Sequence, residues 1–257
     1  RTEAHTDDEL LVTPGHLIYT ADGKTRASSL KIGNLLVHQD PCLEGSALQL
    51  FLGTMLGDGS FKYTPGASRF ASANFYHGDK QKAYFTWKSR LLENYTSGSG
   101  KFDGHIHRGS ISASFQIHRW AKEFGFFRGP KRPSKLILRS LDLRGLAVWY
   151  LDDGGLSRDN RCVDPTKGFS CNIASEKLTD AHIRVINEKF GFSFRRWGRG
   201  IGLSGDRARL FLAAIAPYIP PCMEYKLPPD LRERYSESSW PNDARDVTHV
   251  AITEIST

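Results

Sequence analysis

One acidic unit occurs twice in this chain, and the duplication limits the possible folds more than any other feature. Phe51-Leu52-Gly53-Thr54-Met55-Leu56-Gly57-Asp58-Gly59 and Leu146-Ala147-Val148-Trp149-Tyr150-Leu151-Asp152-Asp153-Gly154 are each an apolar run ending in an acid and a glycine. Adding 95 to the number of Asp58 gives Asp153, and adding 95 to Lys131 gives Lys226. Both lysines begin a Lys-x-Pro triplet, Lys131-Arg132-Pro133 and Lys226-Leu227-Pro228. Self-similarity at a fixed offset predicts two copies of one supersecondary unit built around a common core.

The bulk properties fit a folded chain with a polyanionic partner. At 257 residues there is enough sequence for one or two domains. A formal charge of +7 favours a polyanionic partner. Apolar residues at 39% and aromatics at 11% exclude a disordered polyampholyte. No apolar run is long enough to span a bilayer, and no signal peptide opens the sequence. Cys42, Cys162, Cys171 and Cys222 form no CxxC pair, so neither zinc nor a disulfide framework is expected, and a reducing, intracellular setting is.

The chain divides into four stretches. Residues 1–44 read as short strands and turns, with hairpin signals at Ala21-Asp22-Gly23-Lys24 and Ile32-Gly33-Asn34. Residues 45–140 and 141–235 are the two repeats. Each opens with the acidic helix and continues with strands, an amphipathic helix (near 79–95 and 176–190), more strands (near 103–118 and 192–204) and a short helix (near 117–127 and 206–216). The fold class is therefore α+β, with tandem αββαββα units. Residues 236–257 read as a linker, Ser236 to Asn242, and then a strand at Val247-Thr248-His249-Val250-Ala251-Ile252.

Ser110-Ile111-Ser112-Ala113-Ser114-Phe115-Gln116-Ile117-His118 alternates polar and apolar residues, which predicts a strand with one buried face. Its wet face would carry Ser112, Ser114 and Gln116 beside Lys101, His105, His107 and Arg108. Arg195, Arg196 and Arg199 stand at a similar place in the second copy, and together these groups suggest sheets facing nucleic acid.

Gly53 and Gly57 lie four residues apart and share a helix face, with Ala147 opening the corresponding face of the second copy. Small residues allow two helix backbones to approach closely. Packed together, these helices would bring Asp58 and Asp153 side by side at their C-terminal ends. An acid is misplaced there, because the helix dipole already puts partial negative charge at that end. A divalent cation with oxygen ligands would relieve both that penalty and the mutual repulsion.

These motifs resemble the LAGLIDADG homing endonucleases, in the single-chain form with two motif copies. The resemblance spans about residues 46–230 and includes Pro217-Tyr218-Ile219-Pro220 running on to Tyr225-Lys226-Leu227-Pro228. It implies two saddle-shaped antiparallel sheets about a pseudo-twofold axis, a monomer, and double-stranded DNA as partner. It also implies metal held by Asp58 and Asp153, helped by main-chain carbonyls near Gly57 and Asp152. Mg²⁺ would be the cofactor, with Mn²⁺ substituting and Ca²⁺ binding without cleavage. Lys131 and Lys226 match basic residues flanking the family's active sites. The family often places a glutamine or asparagine near each metal, and His77 and Asn172 lie at roughly comparable points. Arg69, Arg158 and Arg161 complete the expected DNA contacts.

The flanks resemble part of an intein (Hint) splicing domain through Val12-Thr13-Pro14-Gly15-His16-Leu17-Ile18-Tyr19-Thr20, in which Thr13 and His16 would be the remnant of a Thr-x-x-His pair. The sequence starts with Arg1, not a cysteine or serine nucleophile, and ends with Thr257, not an asparagine followed by a nucleophile, so this chain is not expected to splice. The function expected is a site-specific, metal-dependent DNA endonuclease cutting both strands of a long asymmetric target. A non-cleaving, maturase-like nucleic-acid binder and a splicing remnant are the rival expectations.

Overall fold

The computed structural model describes residues 17–20, 23–29, 31, 35–38, 43–66, 68–96, 100–129, 131–164, 167–240 and 248–251. The chain forms two units, Arg1–Cys42 with Arg245–Thr257, and Leu43–Ala244. It opens with β1 (Leu17–Thr20), β2 (Gly23–Arg26) and β3 (Leu35–His38). The first repeat follows as α1 (Gly45–Leu56), β4 (Gly59–Lys62), β5 (Ser72–Gly78), α2 (Lys82–Leu91), β6 (Lys101–Phe102), β7 (Ile106–Ile111) and α3 (Phe115–Glu123). A connecting helix, α4 (Lys135–Ser140), leads to the second repeat. That repeat is α5 (Leu143–Asp153), β8 (Gly154–Arg158), β9 (Phe169–Ala174), α6 (Asp180–Phe190), β10 (Arg195–Trp197), β11 (Gly200–Ser204) and α7 (Asp206–Ile215), and β12 (Thr248–Ala251) ends the described chain.

The αββαββα order occurs twice, and each repeat builds one antiparallel four-stranded sheet. The first is ordered β4-β5-β7-β6 and the second β8-β9-β11-β10. The smaller unit is a third antiparallel sheet, ordered β12-β3-β1-β2. Thr13 and His16 lie outside the described residues.

The larger unit is organised by α1 and α5, which pack directly against each other. Ten of the twelve residues of α1 are buried, so the helix is apolar on nearly every side rather than amphipathic. Small residues make the close approach possible. A Cβ on Gly53 would fall 2.4 Å from the Gly145 carbonyl and 2.7 Å from Val148 Cβ. At the end of α1, a Cβ on Gly57 would lie 2.4 Å from Asp152 Cβ. Polar ties fix the register: Gln49 Nε2 donates to the Ser140 carbonyl at 2.9 Å, and its Oε1 accepts from the Asp142 N–H at 2.7 Å. Asp142 in turn caps α5 by accepting the N–H groups of Arg144 and Gly145.

Two expectations need correction. The strand predicted over 110–118 ends at Ile111, and a helix begins at Phe115. Ser114 accepts the Ile117 N–H as the N-cap of α3, so a local cap overrides the alternating pattern. The stretch from Ser236 is not a linker up to residue 240. It forms a short 3-10 turn and ends in Trp240, which is buried edge-on against Trp87 and donates its indole N–H to the Tyr218 carbonyl.

Candidate active site

Helices α1 and α5 bring the two acids to one end of their seam. Asp153 is the last residue of α5, whereas Asp58 lies two residues beyond α1. Burial first, and then the neighbouring Asp152, push the Asp58 carboxyl up to about 7. The same two causes push Asp153 up to about 6. These are carboxylates held where their charge is poorly solvated, with a third acid beside them.

Each Lys-x-Pro lysine closes on the end of its own motif. Lys131 Nζ donates to the carbonyls of Gly57 (3.0 Å) and Gly59 (2.8 Å). Lys226 Nζ donates to the carbonyls of Leu151 (2.5 Å) and Gly154 (2.9 Å). One acceptor repeats at the sequence offset, Gly59 and Gly154, while the other is Gly57 in the first motif and Leu151 in the second. Burial lowers both lysines' affinity for protons, and the surrounding aspartates oppose the shift. The charge of Lys131 is felt chiefly by Asp153, the acid of the other repeat. Leu56, Gly57, Lys131, Asp153, Ser175 and Arg199 line a cleft of about 430 Å³ beside them.

Asp152 does not present its side chain to that cleft. Its carboxylate is fully buried and takes a salt bridge from Lys88 Nζ at 2.7 Å and 2.8 Å and a hydrogen bond from the Tyr84 hydroxyl at 2.8 Å. The Asp58 N–H points at its other oxygen, 3.4 Å away. Sequence reading missed Lys88 and Tyr84, since nothing in a short amphipathic helix distinguishes a buried lysine from a solvated one.

His77 was expected to touch DNA, but only 2% of it is exposed. It sits on the core side of β5, with Nδ1 3.7 Å from Asp58 Oδ2 and 3.3 Å from Gln81 Oε1. Burial, then the charge of Lys88, lowers its pKa to about 4, so the ring is neutral near pH 7. Asp58, His77 and Asp152 bring one ligand atom each within 4.8 Å of one another. Nor are His77 and Asn172 equivalent. Gly59 pairs with Phe75 and Gly154 with Ile173, separations of 16 and 19 residues, so the second hairpin is three residues longer. The register matches Asn172 to Asn74, and both stand on the face of their sheet opposite the core.

The two sheets turn polar faces away from the core. On the first, Ser60, Lys62, Ser72, Asn74, Tyr76, Arg108 and Ser110 share one face through the pairings of β4, β5 and β7, with Lys101 opposite Arg108 at the edge. On the second, Ser157, Ser170, Asn172, Ser204 and Arg195 do the same. Arg108 and Arg195 thus stand on these polar faces, and Arg69, Lys101 and His105 are exposed. Other expected contacts are engaged elsewhere. His107 is buried against Asp79, and Ser114 is a buried helix cap. Gln116 bonds both main-chain groups of Leu43. Ser112 follows β7 and gives its N–H to the Tyr95 carbonyl. Arg158 donates to the carbonyls of Cys162 and Asp164, while Arg161, Arg196 and Arg199 pair with Asp159, Asp180 and Glu176.

The profile of the LAGLIDADG DNA endonuclease family matches residues 48–196, more than half of the chain and both acidic motifs. This chain belongs to that family. It is similar to the protein named RecA of Mycobacterium shimoidei, 29% identical over 250 residues that make up 88% of this chain and 57% of the relative. The chain thus spans little more than half the length of that relative. It is also similar to "Probable intron-encoded endonuclease 1" of Wickerhamomyces canadensis, 26% identical over 163 residues, 58% of this chain and 70% of that protein. Among solved structures, the homing endonuclease I-WcaI bound to its DNA recognition sequence shares the fold, with a TM-score of 0.58 at 20% identity over 72% of this chain and 87% of that one. The α+β architecture with two antiparallel sheets is that of a LAGLIDADG meganuclease, and no described helix is long and apolar enough to cross a membrane.

Proposed function

We propose that this LAGLIDADG chain is a site-specific endonuclease that hydrolyses one phosphodiester on each strand of a long, asymmetric DNA target, acting as a monomer with pseudo-twofold symmetry. The observation that carries the reading is the seam. Two carboxylates converge at the ends of α1 and α5, and a half-buried lysine donates to two main-chain carbonyls at each helix end.

The residues fit a hard divalent cation, Mg²⁺ or Mn²⁺. Asp58 and Asp153 supply oxygen donors; burial first, and then neighbouring negative charge, raises their proton affinities, and a cation would relieve that charge. They would hold it, and it would supply Lewis-acid polarisation of the phosphoryl group and charge compensation for the departing oxygen. The protein's own groups do the rest. Lys131 and Lys226 hold the motif ends in place and put positive charge beside the cleft, where a phosphate would sit. The polar sheet faces read base edges, and exposed Lys101, Arg69 and Arg195 hold phosphates. Because the two faces differ in residues, the preferred site is not a palindrome.

The flanks support a place within a mobile splicing element. Residues from the two flanks meet in one small sheet through the β12–β3 pairing. The test is cleavage of a randomised duplex library with Mg²⁺, against EDTA and Ca²⁺ controls, and sequencing of the ends. Metal-dependent cuts enriched at one long site are expected; enrichment by binding with no cut ends in Mg²⁺ or Mn²⁺ makes this a non-cleaving DNA-binding protein.

A further inference from the structure

The duplicated sequence predicts two equivalent half-sites, and besides the longer second hairpin the structure departs from that beneath the seam. Measured from the start of each helix, Lys88 is the seventh residue of α2 and Ile186 the seventh of α6. Both are fully buried. The partner of Lys88 is Asp152, and the residue matching Asp152 in the first motif is Gly57. The seam cannot hold a side chain at both positions, because a Cβ on Gly57 would meet Asp152 Cβ at 2.4 Å. One half therefore encloses an ion pair where the other encloses a hydrocarbon.

The fold does not need that pair. Ile186 fills the corresponding space without a charge, and buried ion pairs are commonly no more stabilising than apolar residues of similar volume. The charges of the pair are felt by both acids, but its positioning contacts reach only Asp58 among the described residues. Asp152 collects three donors: Lys88 Nζ, the Tyr84 hydroxyl and the main-chain N–H of Asp58. Lys88 Nζ also lies 4.7 Å from the centre of the Tyr84 ring, and that ring packs against His77, the neighbour of the Asp58 carboxylate. No lysine stands at the corresponding place on α6, and His182, which takes the position of Tyr84, accepts the N–H of Thr179 at its own helix start.

We infer that Lys88, Asp152 and Tyr84 are positioning residues for Asp58 alone, so that the two strand cuts of the proposed endonuclease depend on different residues. Asp152 anchors the backbone at Asp58 and Lys88 balances the charge of that anchor, leaving the Asp58 carboxylate as the acid on offer. The inference rests on the endonuclease reading for its kinetic consequence, but its structural half does not.

The variant that tests it writes second-half chemistry into the first half: Lys88→Ile with Asp152→Ala. Without metal or DNA, the amide resonance of Asp58 should shift on loss of its acceptor, while second-half amides away from residue 152, such as that of Ile201, stay in place. An unmoved Asp58 amide overturns the anchoring. For kinetics, the probe is a duplex recovered by cleavage selection from a randomised library, labelled separately on each strand, with Mg²⁺ in single turnover. Asp58→Asn assigns the strand served by Asp58. The double variant should slow that strand by about 10-fold or more and the other by less than about 2-fold, the size expected for supporting residues. Equal slowing of both strands, or of neither, overturns the inference while the endonuclease reading stands. A wild-type protein that cuts neither strand overturns the endonuclease reading itself. Should the double variant not fold, Tyr84→Phe removes a single hydroxyl and keeps the ring; it should move the strand ratio in the same direction, and an unchanged ratio overturns the inference.

Discussion

On α2 the first half buries Tyr84 and Lys88 around Asp152, whereas at the matching places on α6 the second half has the half-buried His182 and the buried Ile186. Element order, sheet topology and the lysine grip on the motif end are shared, so the difference is confined to what lies beneath each acid. The lesson is about symmetry at an axis. Where two copies of a helix touch, a position next to the axis has room for one side chain, and the pair must choose. Here the second motif supplies Asp152 and the first supplies Gly57. Once a carboxylate is committed to that buried place, a cation must accompany it, since an uncompensated buried charge is strongly unfavourable.

The largest effect that probes this comparison is the loss of either acid. Asp58→Asn and Asp153→Asn should each cost at least about 100-fold in the cut of one strand and leave the other strand cut, turning a double-strand break into a nick. Strand-labelled cleavage measures it, and loss of both cuts in both variants would show that the halves do not act separately. Next is stability. Lys88→Met leaves Asp152 buried without its cation and should cost about 3–5 kcal/mol in urea unfolding. Ile186→Val at the matching place should cost only about 0.5–1.5 kcal/mol. Similar losses at the two sites would mean that Asp152 finds another partner or reaches water.

The smallest effect is a pH dependence. The Asp58 and Asp153 carboxyls keep their protons in the folded protein up to about 7 and about 6, well above the ordinary 3.8. The native state thus binds more protons than the unfolded chain between these values, so folding stability falls as pH rises through about 4 to 7. Thermal melting in EDTA should show that decline. Asp58→Asn should remove its upper part, between about 6 and 7, and Asp153→Asn should leave that upper part in place. A flat profile in wild type would mean the two acids are better solvated than their burial implies.

Much of this was legible in the residues. Two apolar runs ending in acid and glycine, with two matching lysines, carried the tandem repeat, the αββαββα order and the pairing of α1 with α5. These features survive because they are local or repeated: a run of apolar residues makes a buried helix wherever it falls, and a fixed offset makes it twice. The strand predicted through Ser114 was not legible, because alternation and the start of an amphipathic helix look alike over a few residues and the Ser114 cap decided between them. The face on which each basic side chain would lie was equally hidden. Arg196 and Arg199 share the composition of a phosphate-binding cluster with Arg195, yet of the three only Arg195 projects from the polar sheet face, while Arg196 meets Asp180 at the start of α6 and Arg199 meets Glu176.

The sequence by itself determined that two like units would share a seam and that their acids would meet there, because apolar runs must be buried and small residues let them touch. Only the tertiary structure decided that the halves differ beneath those acids. The hairpin longer by three residues shifts α6 relative to the 95-residue offset, so Lys88 corresponds to Ile186 and not to the residue simple counting would choose. The contact of Asp152 with Lys88 spans 64 residues of chain, and no local pattern records it. It exists because packing two helices at van der Waals distance leaves one buried place for a carboxylate and one direction from which a lysine can reach it.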